Sequence, residues 1–307
     1  MTRRAVQRVA RARLFGKSPL GVYLRLGEWA WTHLPRFATT LRPVTAYGHL
    51  MNGLVRVGGD RRQYFGTFFL RNRPQLGLMC HLAGLRSRSR VVRVAVLGCS
   101  LGAEVYSIAW SIRSALPDLQ VTINAVDISS EVVQVAREGV YHVGISELAN
   151  EPLCKCMTDE EMAMMFERDG PELRVKPWIR QGITWQVGDA LDPRLVDTLA
   201  RHDLVVANNF LCHMDPAEAE RCLRNIARLV DPGGYLVVSG IDLDVRTKVA
   251  NALGWKPIHD AMEEIHDGDQ SLRLSWPWRY WGLEPFDKRA RDWRIRYASV
   301  FQLGAQS

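Results

Sequence analysis

No run of about 18 uncharged apolar residues occurs in the 307-residue chain, and its most apolar early stretch, GVYLRLGEWAWTHL, is broken by Arg25 and Glu28. A membrane-spanning helix is therefore not expected. Acidic residues are missing ahead of Glu28, whereas Arg3, Arg4, Arg8, Arg11, Arg13, Lys17 and Arg25 all precede it. This basic arm fits an acidic partner, an anionic membrane surface, nucleic acid, a transit peptide or a plain solvated helix. Thr2-Arg3-Arg4 resembles the start of a twin-arginine signal, but no apolar segment follows it. No secretory apolar stretch precedes the six cysteines at positions 80, 99, 154, 156, 212 and 222, so reduced thiols in a cytoplasmic protein are expected. Internal repeats and low-complexity segments are also missing.

What is present is enough for a sizeable core: 47% of residues are hydrophobic and the formal net charge is +7. Residues 1–88 read as a basic helical N-terminal region, punctuated by Gly16, Pro19, Pro35, Pro43 and Gly58-Gly59. After the polar RSRSR segment, from Arg86 to Arg90, strands and helices alternate. Strands are expected at Val91–Leu97, Val121–Val126, Ile183–Val187, Leu204–Ala207 and Tyr235–Ser239, with a turn at Asp231-Pro232-Gly233-Gly234. Helices are expected at Ala103–Leu116, Glu131–Glu138 and Pro216–Val230. This alternation predicts an α/β domain over 89–307, a mostly parallel sheet with helices on both faces. A small inserted subdomain is expected over about 142–181, where TDEEMAMMFER reads as helical and PELRVKPWIRQGITW as strands broken by proline. The Trp- and Arg-dense tail from Ser275 to Phe301 reads either as a packed cap over a sheet edge or as a stacking surface for bases.

The loop Gly98-Cys99-Ser100-Leu101-Gly102 spells G-x-S-x-G, the pattern of a serine-hydrolase nucleophile elbow. An elbow needs an acid and then a histidine later in the chain, for which His213, His259 and His266 are candidates. It also needs a Gly-rich oxyanion segment upstream, and none precedes Gly98. The alternative is a nucleoside-binding turn at a helix N-terminus. Asp127 ends the second strand, 29 residues after Gly98, where its carboxylate can accept from both ribose hydroxyls. Asp189 and Asn209 end the third and fourth core strands, so three polar groups converge on one carboxyl edge. The loop has G-x-x-x-G followed by Glu104 where dinucleotide binders have G-x-G-x-x-G. A carboxylate there repels pyrophosphate and attracts an ammonium or sulfonium. The cofactor implied is S-adenosyl-L-methionine, on a class I methyltransferase fold.

Several separated motifs resemble the CheR-type methyltransferases, which methylate glutamate side chains of chemotaxis receptors. GTFFLR resembles the family's N-x-T-x-F-F-R, with Thr67 and Arg71 matching. GCSLGAEVYSIA is similar to S-T-G-E-E-P-Y-S-I-A, and VDISSEVVQVAREGVY to D-I-D-x-x-x-L-x-x-A-R-x-G-x-Y. ANNFLCHM resembles R-N-V-L-I-Y-F. The resemblance, from about Tyr64 to Gly240, implies that Thr67, Arg71, Glu104 and Asp127 hold the cofactor or line its methionine end, next to Gly98, Ser100 and Gly102 of the loop already read as its binding turn. It implies that Asp189, Ala190, Asn209 and Phe210 flank adenine, and that the N-terminal region lies on the substrate side. Three positions depart from the pattern: Phe65 replaces Asn, Asp189 replaces Asn, and His213 replaces the Tyr near the transferred methyl.

Methyl transfer from a sulfonium is an in-line displacement that needs alignment and no metal. A glutamate acceptor, with a reference pKa of about 4.3, is already ionised and needs a positioning cation such as Arg71. A hydroxyl or amine acceptor needs a base, for which His213 is the candidate. The sequence thus predicts transfer to an oxygen nucleophile, a protein carboxylate first. A small-molecule hydroxyl or amine, RNA, and a non-catalytic cofactor-binding module are the alternatives.

Overall fold

The computed structural model of the chain describes residues 19–58, 65–86, 90–144, 146, 148–149, 152–268, 276–277 and 282–304. Arg3, Arg4, Arg8, Arg11, Arg13 and Lys17 of the basic arm, part of the RSRSR segment and residues 278–281 of the Trp/Arg-dense tail lie outside the described residues.

Seven strands form the main sheet: β1 (Val91–Leu97), β2 (Gln120–Asp127), β6 (Ile183–Val187), β7 (His202–Asn208), β8 (Val230–Ser239), β9 (Lys256–Pro257) and β10 (Val300–Gln302). Their spatial order is β6-β2-β1-β7-β8-β10-β9, and β10 is antiparallel to both its neighbours while the pairs from β6 to β8 are parallel. The strands read as near-continuous apolar runs because helices cover both faces. Every residue of β7 is buried, and so are the last four of β1. One core cluster contains Val94, Val96, Tyr106, Ile108, Ile123 and Val206, while Ala95, Leu97, Val205, Leu223, Val238 and Phe301 belong to a second. Consecutive strand residues thus serve opposite faces of the sheet.

The helices that matter for the site are α4 (Arg73–Arg86), α5 (Ala103–Ala115), α6 (Ser130–Glu138), α10 (Pro216–Ala227) and α11 (Leu243–Ala252). Helix α10 starts where it does because the Asp215 side chain accepts from the Ala217 and Glu218 amides, Glu218 reaches back, and Pro216 occupies a position that needs no N–H. Such a cap stabilises a helix by about 1 kcal/mol. Between α6 and β6 lies a separate antiparallel sheet of β3 (Val140–His142), β5 (Glu172–Val175) and β4 (Phe166–Asp169), preceded by α7 (Asp159–Met165).

Three local expectations are corrected. Phe166, Glu167 and Arg168, the end of the stretch read as helical, form strand β4 with Asp169, paired antiparallel to β5. Asp231-Pro232-Gly233-Gly234 is not a turn ahead of the strand but part of β8, which starts at Val230 with a register shift opposite His202 and Leu204. Gly233, at φ 75, lets the strand bulge past Pro232, and the Gly233 amide donates to the Leu303 carbonyl at 2.7 Å. Pro177–Arg180 is a short helix, α8, with proline at its first turn, in place of the expected broken strand.

The N-terminal helices α1 (Pro19–His33), α2 (Arg36–Thr39) and α3 (Arg42–Gly58) rest on the described part of the tail. Trp31 meets the buried Trp276 edge-on at 5.0 Å, and Gly48 is so close to that indole that a Cβ would overlap it. His49 Nε2 lies 3.2 Å from Glu284, and the Arg289 guanidinium donates to the Thr40 carbonyl at 2.6 Å. Phe286 stacks on Tyr297 at 4.6 Å, and Arg296 pairs with Glu284. These described tail residues are packed, as a cap would be.

Candidate active site

The chain leaves β1 toward β2 and β6 and then returns to place β7 on the other side of β1. Ligands of open α/β sheets bind outside the carboxyl ends of the strands at such a reversal. A cavity of about 340 Å³ lies there, lined by the ends of β1, β2, β7 and β8 at Leu97, Asp127, Asn208 and Ser239.

The loop after β1 holds three left-handed residues, Gly98 at φ 68, Ser100 at φ 47 and Gly102 at φ 84. A Cβ on Gly98 would stand 2.7 Å from the Phe210 ring, so only glycine lets the backbone run against that ring. The strained Ser100 is fixed by two bonds: its amide donates to Asp127 Oδ2 at 2.8 Å, and its hydroxyl donates to the Phe65 carbonyl at 3.0 Å. A hydroxyl committed to a backbone carbonyl is not poised on a base, which removes the hydrolase reading. The Ser129 amide donates to Asp127 Oδ1 at 3.0 Å. Each carboxylate oxygen therefore spends one lone pair on its own loops and keeps another.

Opposite this loop is a network of side chains. The Asn208 amide nitrogen donates to Glu104 Oε1 at 2.7 Å and to Gln75 Oε1 at 2.9 Å, and its oxygen accepts from the Ser239 hydroxyl at 2.8 Å. An ionised carboxylate only accepts, so Glu104 sets the direction of every bond in this chain. Burial pushes the Glu104 carboxyl above its ordinary range, against the bond from Asn208 and the positive charge of Arg71. The Arg71 guanidinium lies 5.0 Å from the Phe68 ring centre and lines the same cavity. Gln75, Asn208 and Ser239 were not among the residues expected from sequence. The polar pair ending VVANN was the signal that could have found Asn208.

At the β6 end, Asp189 Oδ1 accepts from the Leu191 amide at 2.8 Å, and the Asn225 side chain donates to the Ala190 carbonyl at 2.7 Å. Asn209, at φ 61, turns the chain out of β7, with its amide on the Ser239 carbonyl at 3.0 Å. His213 stands on a single 3₁₀ turn, Leu211–His213, beside the cavity. Thr67, Arg71, Gly98, Ser100, Glu104, Asp127, Asp189, Ala190, Asn209, Phe210 and His213 all line this one cavity. Gly102 does not. It precedes the first turn of α5, where a Cβ would crowd Trp185 and Ala136, and its contribution is close packing behind the loop.

The wall beyond β8 carries Arg246 and Tyr297, which the sequence did not single out, and His266, which it offered only as a histidine for the hydrolase alternative. The buried Arg246 donates to the Val238 carbonyl at 2.9 Å and the Arg296 carbonyl at 2.7 Å. His266 Nε2 meets the Glu284 carbonyl at 2.7 Å; because a carbonyl only accepts, that nitrogen carries the proton. Burial, together with the Glu284 charge, raises the Tyr297 phenol above its ordinary range. All six cysteines are free thiols. Among the described residues, no helix is long and apolar enough to cross a membrane.

Residues 67–244, more than half of the chain, match the family described as CheR methyltransferase, SAM binding domain. A chemotaxis protein methyltransferase of Vibrio parahaemolyticus is 26% identical over 163 residues, covering 51% of this chain and 56% of its own length. A probable biofilm formation methyltransferase, WspC, of Pseudomonas aeruginosa is 28% identical over 177 residues, 56% of this chain and 40% of its own. Chemotaxis protein methyltransferase 2 of Pseudomonas aeruginosa is 26% identical over 245 residues, 76% of this chain and 84% of its own. The chain spans about half the length of the first two relatives. With this sheet order, this rim cavity and that match, the chain belongs to the CheR methyltransferase family and carries its SAM-binding domain.

Proposed function

We propose that the protein transfers the methyl group of S-adenosylmethionine to a carboxylate oxygen of a protein side chain. The observation that carries this reading is the gathering of Asp127, Glu104 and Arg71 around one cavity. The donor set fits the cofactor. Asp127 keeps a lone pair on each oxygen for the ribose hydroxyls, Glu104 offers a carboxylate to an ammonium, and Phe210 with the Asp189-Ala190 turn offers a flat, partly apolar slot for a base. When bound, that molecule supplies a methyl group on a sulfonium.

The chain's own task is alignment and exclusion of water, and holding reactants in line is worth about 7–11 kcal/mol of a barrier. Arg71 is the cation beside which an acceptor carboxylate can be held, and no proton has to be removed from it at neutral pH. The two relatives named as chemotaxis protein methyltransferases support a protein acceptor. One observation favours a second reading: His213 lines the same cavity, where a neutral imidazole could accept a proton from a hydroxyl or amine.

The deciding experiment incubates purified protein with methyl-labelled S-adenosylmethionine and cell extract. Label entering protein and leaving as methanol in mild alkali, as a carboxyl ester does, is the expected result. Label that is stable to alkali, or that enters RNA or small molecules, rejects the carboxylate acceptor.

A further inference from the structure

Large apolar side chains are unevenly exposed over the molecule. Nine of the sixteen that are exposed among the described residues fall between Val22 and Leu50. Four of them are more than half exposed: Phe37 at 73%, Trp29 at 64%, Leu26 at 63% and Leu50 at 59%. On α1, Val22, Leu26 and Trp29 recur at the spacing that puts them on one face, while Trp31 points inward onto Trp276. Among the described residues, the joint to the body includes Trp31 and Gly48 on Trp276, His49 on Glu284, and Thr40 on Arg289. The exposed surface of α1 to α3 thus mixes large apolar side chains with Arg25 and Arg42.

Charge is concentrated in the same segment. The first 59 residues contain ten arginines and lysines against the single acid Glu28, and the rest of the chain is slightly acidic. Of these cations, Arg25 and Arg42 sit among the exposed apolar side chains on α1 and α3. A polyanion alone, such as nucleic acid, would satisfy the arginines but would gain nothing from Val22, Leu26, Leu41 and Leu50. A bilayer with anionic headgroups satisfies both: guanidinium groups meet phosphate, and Trp, Phe and Leu enter the boundary between headgroups and acyl chains.

We propose that the N-terminal helices α1 to α3 dock the protein on an anionic bilayer surface, lying on it without spanning it. The attachment is reversible and depends on ionic strength, because the headgroup attraction fades within a Debye length while the apolar contribution remains.

Co-sedimentation of the full chain with vesicles tests this, using phosphatidylcholine alone or with roughly a third of phosphatidylglycerol. Binding to the anionic vesicles but not to the neutral ones is expected, weakened about tenfold when salt rises from about 0.1 M to about 0.5 M. The triple variant Leu26→Ser/Trp29→Ser/Phe37→Ser should lose about tenfold or more of the wild-type partitioning while melting at the wild-type temperature. If the triple variant fails to fold, Phe37→Ser alone carries the same test with a smaller loss. Equal binding to neutral vesicles, no binding to either, or anionic binding that the serine variants leave unchanged overturns the proposal. So does capture by poly-glutamate or duplex DNA that the serine substitutions abolish while vesicles capture nothing, which would move the surface to an acidic macromolecule.

Discussion

On the β2 side of the cavity, each acidic group is held by the backbone of its own loops. Asp127 accepts from the amides of Ser100 and Ser129, and Asp189 from the amide of Leu191 two residues on. On the β7 and β8 side, the groups hold one another across long stretches of chain: Asn208 reaches Gln75 over 133 residues and Glu104 over 104. The first wall is stiff because loop backbone and carboxylate fix each other, whereas the second depends on three elements arriving in register. A change in the first should be read in cofactor binding, and a change in the second in pH dependence and turnover.

The largest effect is expected from Asp127→Ala. It removes the acceptor for two partly buried amides and the proposed acceptor for the ribose hydroxyls, each a charge-assisted bond worth about 1.5–3 kcal/mol. Calorimetry should find S-adenosylhomocysteine bound about 10³-fold more weakly, and unchanged affinity would detach the β2 wall from the cofactor. Arg71→Ala comes next, with kcat/KM for methyl transfer lowered about 10²-fold, since Arg71 lines the cavity and is the proposed positioning cation, and a fixed cation contributes most where water is excluded. A variant with wild-type kinetics would take Arg71 out of the site.

Glu104→Gln sharpens the contrast between the walls. Because burial holds the Glu104 carboxyl above its ordinary value of 4.5, the folded protein keeps a proton over a window in which the unfolded chain has released it. Its contribution to stability is therefore present below that ordinary value and is lost as pH rises through the folded one. Binding of a ligand ammonium runs the other way, since it needs the ionised form, and S-adenosylhomocysteine affinity should rise with pH across the same window. The glutamine variant should bind about tenfold more weakly and lose that slope. A slope that survives the substitution would assign it to another group.

The same division explains what could be read in advance. β1 and β6 lie at the residues expected, and α5 and α6 within one residue, because their periodicity and turn signals are local. The β2 wall was legible for the same reason: Gly98 to Glu104 and Asp127 form short motifs whose chemistry is carried by neighbours in sequence. Gln75 was hidden in an ordinary helical stretch, and Ser239 at the end of an apolar strand, since their partners are set only by the register of β7 against β8 and the packing of α4. Arg246 comes to the cavity from α11, His266 from the six-residue helix Met262–Asp267, and Tyr297 from just after the four-residue helix Trp293–Arg296; elements this short leave little period to read. The bulge that carries β8 through Pro232 was missed because proline and glycine mark a turn and a bulge alike.

His213→Phe is the smallest change expected, and it separates the two acceptor chemistries. The residue sits on the 3₁₀ turn that leaves β7, with its own amide on the Phe210 carbonyl at 3.0 Å, a backbone bond that phenylalanine also makes. If the acceptor is a carboxylate, no proton is in flight during transfer, and turnover should stay within about threefold of wild type, flat across the range where an ordinary histidine titrates near 6.5. If the acceptor is a hydroxyl or amine, loss of the base should lower kcat by about 10²-fold with S-adenosylhomocysteine affinity unchanged, and should remove an inflection from the pH profile. The split between kcat and affinity is what makes the result readable. A packing defect at this position would weaken both together, through Phe210 and the loop at Gly98 that rests on it.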